Sequence, residues 1–144
     1  MQVPKLNFEH QFDFQIKQDK DTFFIYDLVR KSWLVLTPEE WVRQHWLHYY
    51  RFVKKKNLSS LILEKKLELN GTTKRIDLLI TEKTKPKILI ECKAPNIVLK
   101  ETHFEQIARY NSLLRAEQII ISNGFDHIFA DYKDGQYQFL QVKV

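Results

Sequence analysis

The run Lys74-Arg75-Ile76-Asp77-Leu78-Leu79-Ile80 is followed, after a short turn, by a second run, Lys87-Ile88-Leu89-Ile90-Glu91-Cys92-Lys93. Each run is a short apolar stretch interrupted by charged residues, which predicts two neighbouring β-strands. Asp77, Glu91 and Lys93 are the interruptions. Because a buried charge costs free energy unless it has a partner, we expect these three residues to serve one site.

The alternation of side chains along a strand predicts which face each residue occupies. Glu91 and Lys93 are expected on the same face as Leu89. In the first strand, Asp77 is expected on the face opposite to its apolar neighbours, which are Ile76, Leu78 and Ile80. The single cysteine, Cys92, alternates with isoleucines on an apolar face, which predicts a buried structural thiol.

A divalent metal ion would explain two carboxylates and an ammonium in such strands. Mg²⁺ prefers a few carboxylate oxygens together with water and substrate phosphate, and a nearby lysine can orient the attacking water. The competing interpretation is a set of ion pairs on a solvated sheet face, in which Asp77 and Glu91 pair with Arg75 or Lys93. The apolar runs on both sides favour the metal site.

A helix is predicted after Pro95, at about residues 101–115, where apolar residues recur at helical spacing. Gln106 and Tyr110 lie four residues apart in this segment and therefore share a face of the helix. Taken alone, they are typical of a partly exposed helix face. Their position after the two charged strands makes them candidates for bracing the site.

The D…ExK pattern of Asp77, Glu91 and Lys93 resembles the catalytic core of the PD-(D/E)xK nuclease superfamily, with Ile76 at the superfamily's proline position. Gln106 and Tyr110 resemble the QxxxY motif that accompanies it in the RecB-like and type I restriction branches. From about residue 36 to about residue 131 the chain resembles the N-terminal nuclease domain of type I restriction endonuclease R subunits. The segments that carry this resemblance are, in chain order, Thr37-Pro38-Glu39-Glu40-Trp41-Val42-Arg43-Gln44, Glu64, Lys74-Arg75-Ile76-Asp77, Ile90-Glu91-Cys92-Lys93-Ala94-Pro95, Gln106-Ile107-Ala108-Arg109-Tyr110-Asn111 and Asn123-Gly124.

This resemblance implies an α/β fold with a restriction-endonuclease-like core in the order α-β-β-β-α-β, a mixed sheet flanked by helices. It implies that Asp77 and Glu91 hold Mg²⁺, with Mn²⁺ as a substitute, that Lys93 positions the attacking water, and that Gln106 and Tyr110 support the site. DNA is the implied substrate, and a helicase or other restriction or repair subunits are implied partners.

A further acidic ligand is expected at Glu64, which resembles a glutamate that precedes the core aspartate in this branch. Glu40 competes for the role of a helix-borne acid. However, Thr37, Pro38 and Glu40 have the spacing of a helix N-cap with a capping box, which already explains Glu40. The sequence therefore favours Glu64 over Glu40.

The chain is basic, with a formal charge of +5, which suits a polyanion partner. The segment from Tyr49 to Lys56 combines aromatics with Arg51, Lys54, Lys55 and Lys56, a composition suited to a phosphate-binding patch. The sequence slightly favours the alternative, a helix C-terminus where lysines complement the dipole and aromatics face the core, and the two interpretations are compatible. Arg43, Lys74 and Arg75 are further candidates for nucleic-acid contacts, although Arg43 is equally consistent with a structural role in the first helix.

The 144 residues predict one domain in two parts. Residues 1–36, with apolar alternation between polar turns, predict an N-terminal β-meander packed on the core. Residues 37–144 predict the nuclease-like core and a C-terminal hairpin, with turn signals at Asn70-Gly71 and Asp134-Gly135.

Several classes of protein are disfavoured by the sequence. No GxxxxGKS or GxxxxGKT phosphate loop occurs in these 144 residues, so we expect no helicase motor in them. No run is long enough to span a membrane and the first residues lack a signal-peptide pattern, so we expect a cytoplasmic protein.

The favoured function is a metal-dependent DNA endonuclease. The alternative is a nucleic-acid-binding or assembly module that keeps the nuclease fold without cleaving. A third possibility is a basic α/β protein in which the charges are only ion pairs.

Overall fold

The computed structural model describes residues 3–144, so Met1 and Gln2 of the predicted N-terminal segment lie outside the described residues. Two β-sheets and two α-helices make up the α/β fold. In chain order the elements are β1 (Ile16–Asp19), β2 (Thr22–Asp27), β3 (Ser32–Val35), α1 (Pro38–His48), β4 (Leu61–Leu69), β5 (Thr72–Glu82), β6 (Lys85–Cys92), α2 (Glu101–Leu114), β7 (Gln118–Ser122), β8 (His127–Lys133) and β9 (Gln136–Leu140).

The first three strands form the predicted antiparallel meander. The larger sheet is mixed and has six strands in the order β4-β5-β6-β7-β8-β9. Strands β6 and β7 pair in parallel, with α2 in the crossover between them, whereas the other neighbouring pairs are antiparallel. None of the described helices is long and apolar enough to cross a membrane.

Two tight turns set the hairpins, as the sequence predicted. Asn70 and Gly71 have φ angles of +52° and +78°, and Asp134 and Gly135 have +52° and +77°. Positive φ at both central residues matches the right-handed twist of the strands that such a turn joins. The β4–β5 and β8–β9 hairpins follow directly from these sequence signals.

Helix α1 begins as predicted and is deeply buried. The Thr37 hydroxyl accepts a hydrogen bond from the backbone N–H of Glu40 at 3.1 Å, and Pro38 occupies the first turn. The second half of the capping box is absent because the Glu40 side chain binds Arg43 and Gln44 instead. Every residue from Glu40 to His48 is buried, so α1 is enclosed on all sides and not along one face only. The helix continues as a π-helical turn at Tyr49–Val53.

Two hydrophobic clusters lie on opposite faces of the large sheet. The first joins the meander and α1 to the sheet, and it contains Ile25, Leu36, Trp46, Leu78, Ile80, Ile90 and Cys92. The second joins α2 to the sheet, and it contains Ile76, Leu89, Ile107, Tyr110, Ile119 and Ile121. The large side chains at their centres are fully buried, and each contributes about 1.5–3 kcal/mol to folding. The prediction that Cys92 is a buried thiol is confirmed.

The predicted alternation in β5 is wrong at one position. Leu78 and Ile80 lie in the first cluster, but Ile76 lies in the second. The partner strand is irregular at the same level, because Glu64, which falls between the pairs Leu63–Leu78 and Lys65–Ile76, has φ of +52°. A left-handed residue within a strand breaks the regular alternation of faces. The hairpin therefore changes its packing face next to Asp77.

Candidate active site

Asp77 and Glu91 are brought together where β5 and β6 separate. The pairing of these strands extends to Leu78–Ile90, so Asp77 and Glu91 are the next residues on each strand. Beyond that pair, the Asp77 side chain and not the β5 backbone bonds β6: its Oδ2 accepts a hydrogen bond from the backbone N–H of Cys92 at 2.8 Å. This bond fixes the Asp77 carboxylate beside Glu91.

Glu91 is the most buried member of the pair, with 4% of its surface exposed. Its Oε2 lies 2.6 Å from the Lys74 ammonium and 4.0 Å from the Lys93 ammonium. Lys93 is held just past the end of β6 by a hydrogen bond from its backbone N–H to the Ser122 carbonyl on β7. The site thus contains two carboxylates and two lysines, all delivered by β5, β6 and the residue after β6.

The electrostatics of the site are those of crowded acids. Burial, followed by a hydrogen bond and charge repulsion from Asp77, raises the pKa of Glu91 well above its ordinary value, and Lys74 opposes this shift. Burial acts against the charge of Lys74, but the neighbouring Glu91 and Asp77 outweigh it and raise the Lys74 pKa. Lys74 therefore stays protonated at neutral pH and partly offsets the repulsion between the two carboxylates.

Glu39, in the first turn of α1, is an acid near the site that sequence reasoning missed. Partial burial, followed by the charge of Asp77, raises the pKa of Glu39, while Lys93, Arg43 and Lys74 oppose the rise. The sequence favoured Glu64 over Glu40 as the additional acid. A usable signal was present, since Glu39 and Arg43 share a helix face at i,i+4 spacing.

Glu40 and Glu64 are both bound to arginine. Glu40 accepts hydrogen bonds from Arg43 and Gln44 inside the core. Glu64 receives three arginines, with Arg30 at 3.1 Å, Arg43 at 3.2 Å and Arg75 at 3.7 Å. Although burial acts to raise it, the Glu64 pKa is lowered by the hydrogen bond from Arg43 and the charge of Arg30. We call Glu64 and these arginines the arginine cluster.

The two helix residues of the QxxxY pattern occupy different environments. Tyr110 is buried in the second cluster, next to Ile76 and Leu89. Gln106 is exposed, and its side chain makes no hydrogen bond within residues 3–144. In the first turn of α2, burial and then the charge of Lys93 lower the pKa of His103.

The predicted basic patch is divided between core and surface. Tyr49 and Tyr50 are buried in the first cluster, which is what the helix C-terminus interpretation expected. Phe52 is 53% exposed, and Lys54 and Lys55 also face solvent. The remaining cations, Arg51 and Lys56, are half-buried, and Arg51 donates a hydrogen bond to the Lys56 carbonyl at 3.2 Å.

The other nucleic-acid candidates also separate. The Arg43 guanidinium is buried and engaged by Glu40 and Glu64, and the Lys74 ammonium lies on Glu91. The Arg75 side chain is 60% exposed.

Metal ligation depends on the carboxylate pair. Within the described part of the chain, no group of three or more His, Cys, Asp or Glu side chains is arranged to hold a metal ion. The donors available are the hard oxygens of Asp77 and Glu91, with Asp77 half-buried and one of its oxygens engaged by the Cys92 amide. Mg²⁺ keeps several waters and commonly takes only one or two protein carboxylates, so this donor set fits it.

Comparison with known proteins agrees with the sequence motifs. No curated protein matches the chain. The family model described as the type I restriction enzyme R protein N terminus matches residues 38–143, which include both helices and the whole of the large sheet. The match confirms the resemblance that the motifs indicated. The chain therefore belongs to the family of the type I restriction enzyme R protein N terminus.

Proposed function

We propose that this protein is a metal-dependent DNA endonuclease with a restriction-endonuclease-like core, in which Asp77, Glu91 and Lys93 form the active site. The observation that carries the proposal is the meeting of the two carboxylates where β5 and β6 separate, with the lysine of the ExK pattern 4.0 Å from Glu91. Family membership supports a role in restriction. The order of elements from α1 to β7 is also the order expected of such a core.

Asp77 and Glu91 would hold Mg²⁺, or Mn²⁺ in its place. The bound cation would polarise the phosphodiester and balance the charge that develops on it. The Glu64 carboxylate is held by arginines, so the proposed protein ligands are the carboxylates of Asp77 and Glu91.

Lys93 would orient the attacking water, because its ammonium lies beside Glu91 and remains half-exposed to solvent. Lys74 would have a different role: its ammonium lies 2.6 Å from Glu91, nearer than that of Lys93, and would offset the charge of this carboxylate. Tyr110 would support β5 and β6 through its packing in the second cluster. Gln106 is exposed and would be available to the substrate.

DNA is the proposed substrate, and a helicase or other restriction subunits are proposed partners, since the family is that of an R protein. The exposed cations Lys54, Lys55 and Arg75 are the proposed phosphate contacts outside the active site.

Paired substitutions on the same two strands test the proposal. Glu91→Gln and Lys93→Met remove the proposed active groups at one end of β6. Glu82→Gln and Lys87→Met are the matched controls, because these residues form an ion pair of 3.6 Å at the other end of the same hairpin. Supercoiled plasmid would be incubated with each protein and Mg²⁺, and thermal unfolding would establish that each variant folds.

We expect the active-site variants to lose cleavage by roughly 10²–10³-fold or more, the loss typical of removing one group that stabilises a transition state, while the controls cleave like the wild type. Cleavage that persists in both Glu91→Gln and Lys93→Met would overturn the assignment. Tight, salt-sensitive DNA binding by a wild-type protein that never cleaves would instead support the non-cleaving module.

A further inference from the structure

The arginine cluster brings three guanidinium groups from separate elements onto one carboxylate. Arg30 comes from the turn after β2, Arg43 from α1 and Arg75 from β5, and all three lie within 4.0 Å of Glu64. Arg43 is satisfied, because it also binds Glu40 in the core. Arg30 and Arg75 have 28% and 60% of their side-chain surface exposed, so both keep donors directed to solvent.

The cluster carries uncompensated positive charge. Lys66 lies directly opposite Arg75 in the β4–β5 pairing, and both face solvent. Like charges placed directly opposite each other across two strands destabilise a sheet. A single carboxylate, Glu64, is shared by Arg30, Arg43 and Arg75, so it does not offset the repulsion at this surface. An anion bound between these groups would relieve that repulsion.

The cluster lies immediately beside the candidate active site. Glu64 occupies the position opposite Asp77 in the β4–β5 register, roughly 5 Å away in backbone terms. Its φ of +52° is uncommon for a glutamate, and such conformations cost on the order of 1–3 kcal/mol unless the surroundings impose them. Glu64 is thus both the residue with the unfavourable backbone conformation and the one that binds the three arginines, so the cluster is kept despite a cost in conformational free energy.

Arg30 is held in place by buried polar contacts of the meander. The fully buried Asp27 accepts hydrogen bonds from the backbone N–H groups of Val29 at 2.9 Å and Arg30 at 2.8 Å. The other oxygen of Asp27 accepts a hydrogen bond from Gln44 on α1 at 2.9 Å. The turn is therefore fixed to the helix, and Arg30 precedes the part of the chain that the family model matches.

We propose that the arginine cluster is a binding subsite for a backbone phosphate of nucleic acid, adjacent to the phosphate at the active site, with Arg30 and Arg75 as the donors and Glu64 as the group that positions them. Guanidinium groups suit this task because their fork of donors matches phosphate oxygens. The meander thereby contributes directly to substrate binding. The proposal rests on the proposed function for its ligand class, but it concerns binding and requires no cleavage.

The test measures binding without metal, so that nothing is cleaved. Arg30→Gln, Arg75→Gln and the double variant would be titrated against a short fluorescent DNA duplex in EDTA, by anisotropy, over a range of monovalent salt. Lys20→Gln is the matched control, because it removes one exposed cation from the β1–β2 turn at the far end of β2. Thermal unfolding of each variant would show that the fold is kept.

We expect each arginine variant to reduce the slope of log affinity against log salt by about 0.9, which corresponds to roughly fivefold weaker binding near physiological salt, and Lys20→Gln to change neither quantity. Unchanged slopes in the double variant would overturn the subsite and leave the nuclease proposal intact. Slopes that fall as expected in a protein that does not cleave plasmid would support the subsite while refuting the nuclease. An equal effect of Lys20→Gln would show only a diffuse attraction, which also contradicts the proposal.

Discussion

Acidification should destabilise this protein through His45 in particular. The imidazole is buried on α1 against Phe14 and Trp41, with ring centroids 4.7 and 4.5 Å away. Its Nδ1 donates a hydrogen bond to the Trp41 carbonyl at 2.8 Å, as in the neutral ring. Burial lowers the pKa of His45 from 6.5 to about 4, against the opposing effect of that hydrogen bond.

The sign and size follow from proton linkage. The unfolded chain takes up a proton at His45 below pH 6.5, whereas the folded protein resists it until about pH 4. Stability is therefore full above pH 6.5 and falls as the pH drops toward 4, because the unfolded state binds more protons in that interval. The full loss is about 3 kcal/mol at 1.36 kcal/mol per pKa unit, and about 2.5 kcal/mol of it is reached by about pH 4.5.

Urea unfolding of the wild type and of His45→Asn at about pH 7.5 and about pH 4.5 measures this contribution. Asparagine keeps an amide donor near the Nδ1 position but cannot titrate. The cost of the smaller side chain is the same at both pH values and cancels in the difference. His48 and His127, whose pKa values burial also lowers, remain in both proteins. The wild type should lose about 2.5 kcal/mol more than the variant. Losses that agree within about 0.5 kcal/mol would refute the reasoning.

Two further predictions concern packing and backbone satisfaction. A Cβ at Gly124 would lie 2.7 Å from the Leu6 side chain, whereas a Cβ at Gly71 would meet open space, and both glycines have positive φ. Gly124→Ala should therefore lower the free energy of unfolding by about 2 kcal/mol more than Gly71→Ala, as measured by denaturant unfolding of the two variants. The Asn111 side chain bonds both the backbone carbonyl and the backbone N–H of Ala116, a buried residue just beyond the end of α2. Asn111→Ala should therefore lower the free energy of unfolding by about 3 kcal/mol in the same assay. Ser112→Ala, at the exposed neighbouring position, should lower it by less than about 0.5 kcal/mol. Equal costs within either pair would contradict these contacts.

Local signals in the sequence predicted most of the large sheet. The Asn70-Gly71 and Asp134-Gly135 turns have the positive φ values that their residue types favour, and Thr37 caps α1 as its spacing indicated. These features depend on neighbouring residues alone, which is why sequence reasoning reaches them. The adjacency of Asp77 and Glu91 was equally accessible, because it requires only the correct pairing of two consecutive strands.

Contacts between distant segments were not accessible in the same way. The role of Glu64 depends on Arg30, which is 34 positions earlier in the chain, and on a left-handed backbone that no local pattern announces. Glu39 comes within range of the charge of Asp77 only through the packing of α1 against the sheet, which joins residues far apart in the chain. The surroundings of Glu64 and Glu39 both depend on side chains from other helices and strands, whereas the periodicity of a sequence predicts only which face of its own element a residue occupies.

The hydrogen bond between Asp27 and Gln44 has a consequence for where this domain can be cut. The family model starts at residue 38, but the buried core continues upstream through Leu6, Phe8, Ile25 and Leu36. A chain trimmed to the family boundary would uncover the Trp46 indole where Phe8 packs against it, with ring centroids 5.0 Å apart, and would leave the Gln44 amide with Glu40 as its remaining partner. The matched segment is therefore shorter than the packed core, and deletion of the first strands would remove the residues that support α1.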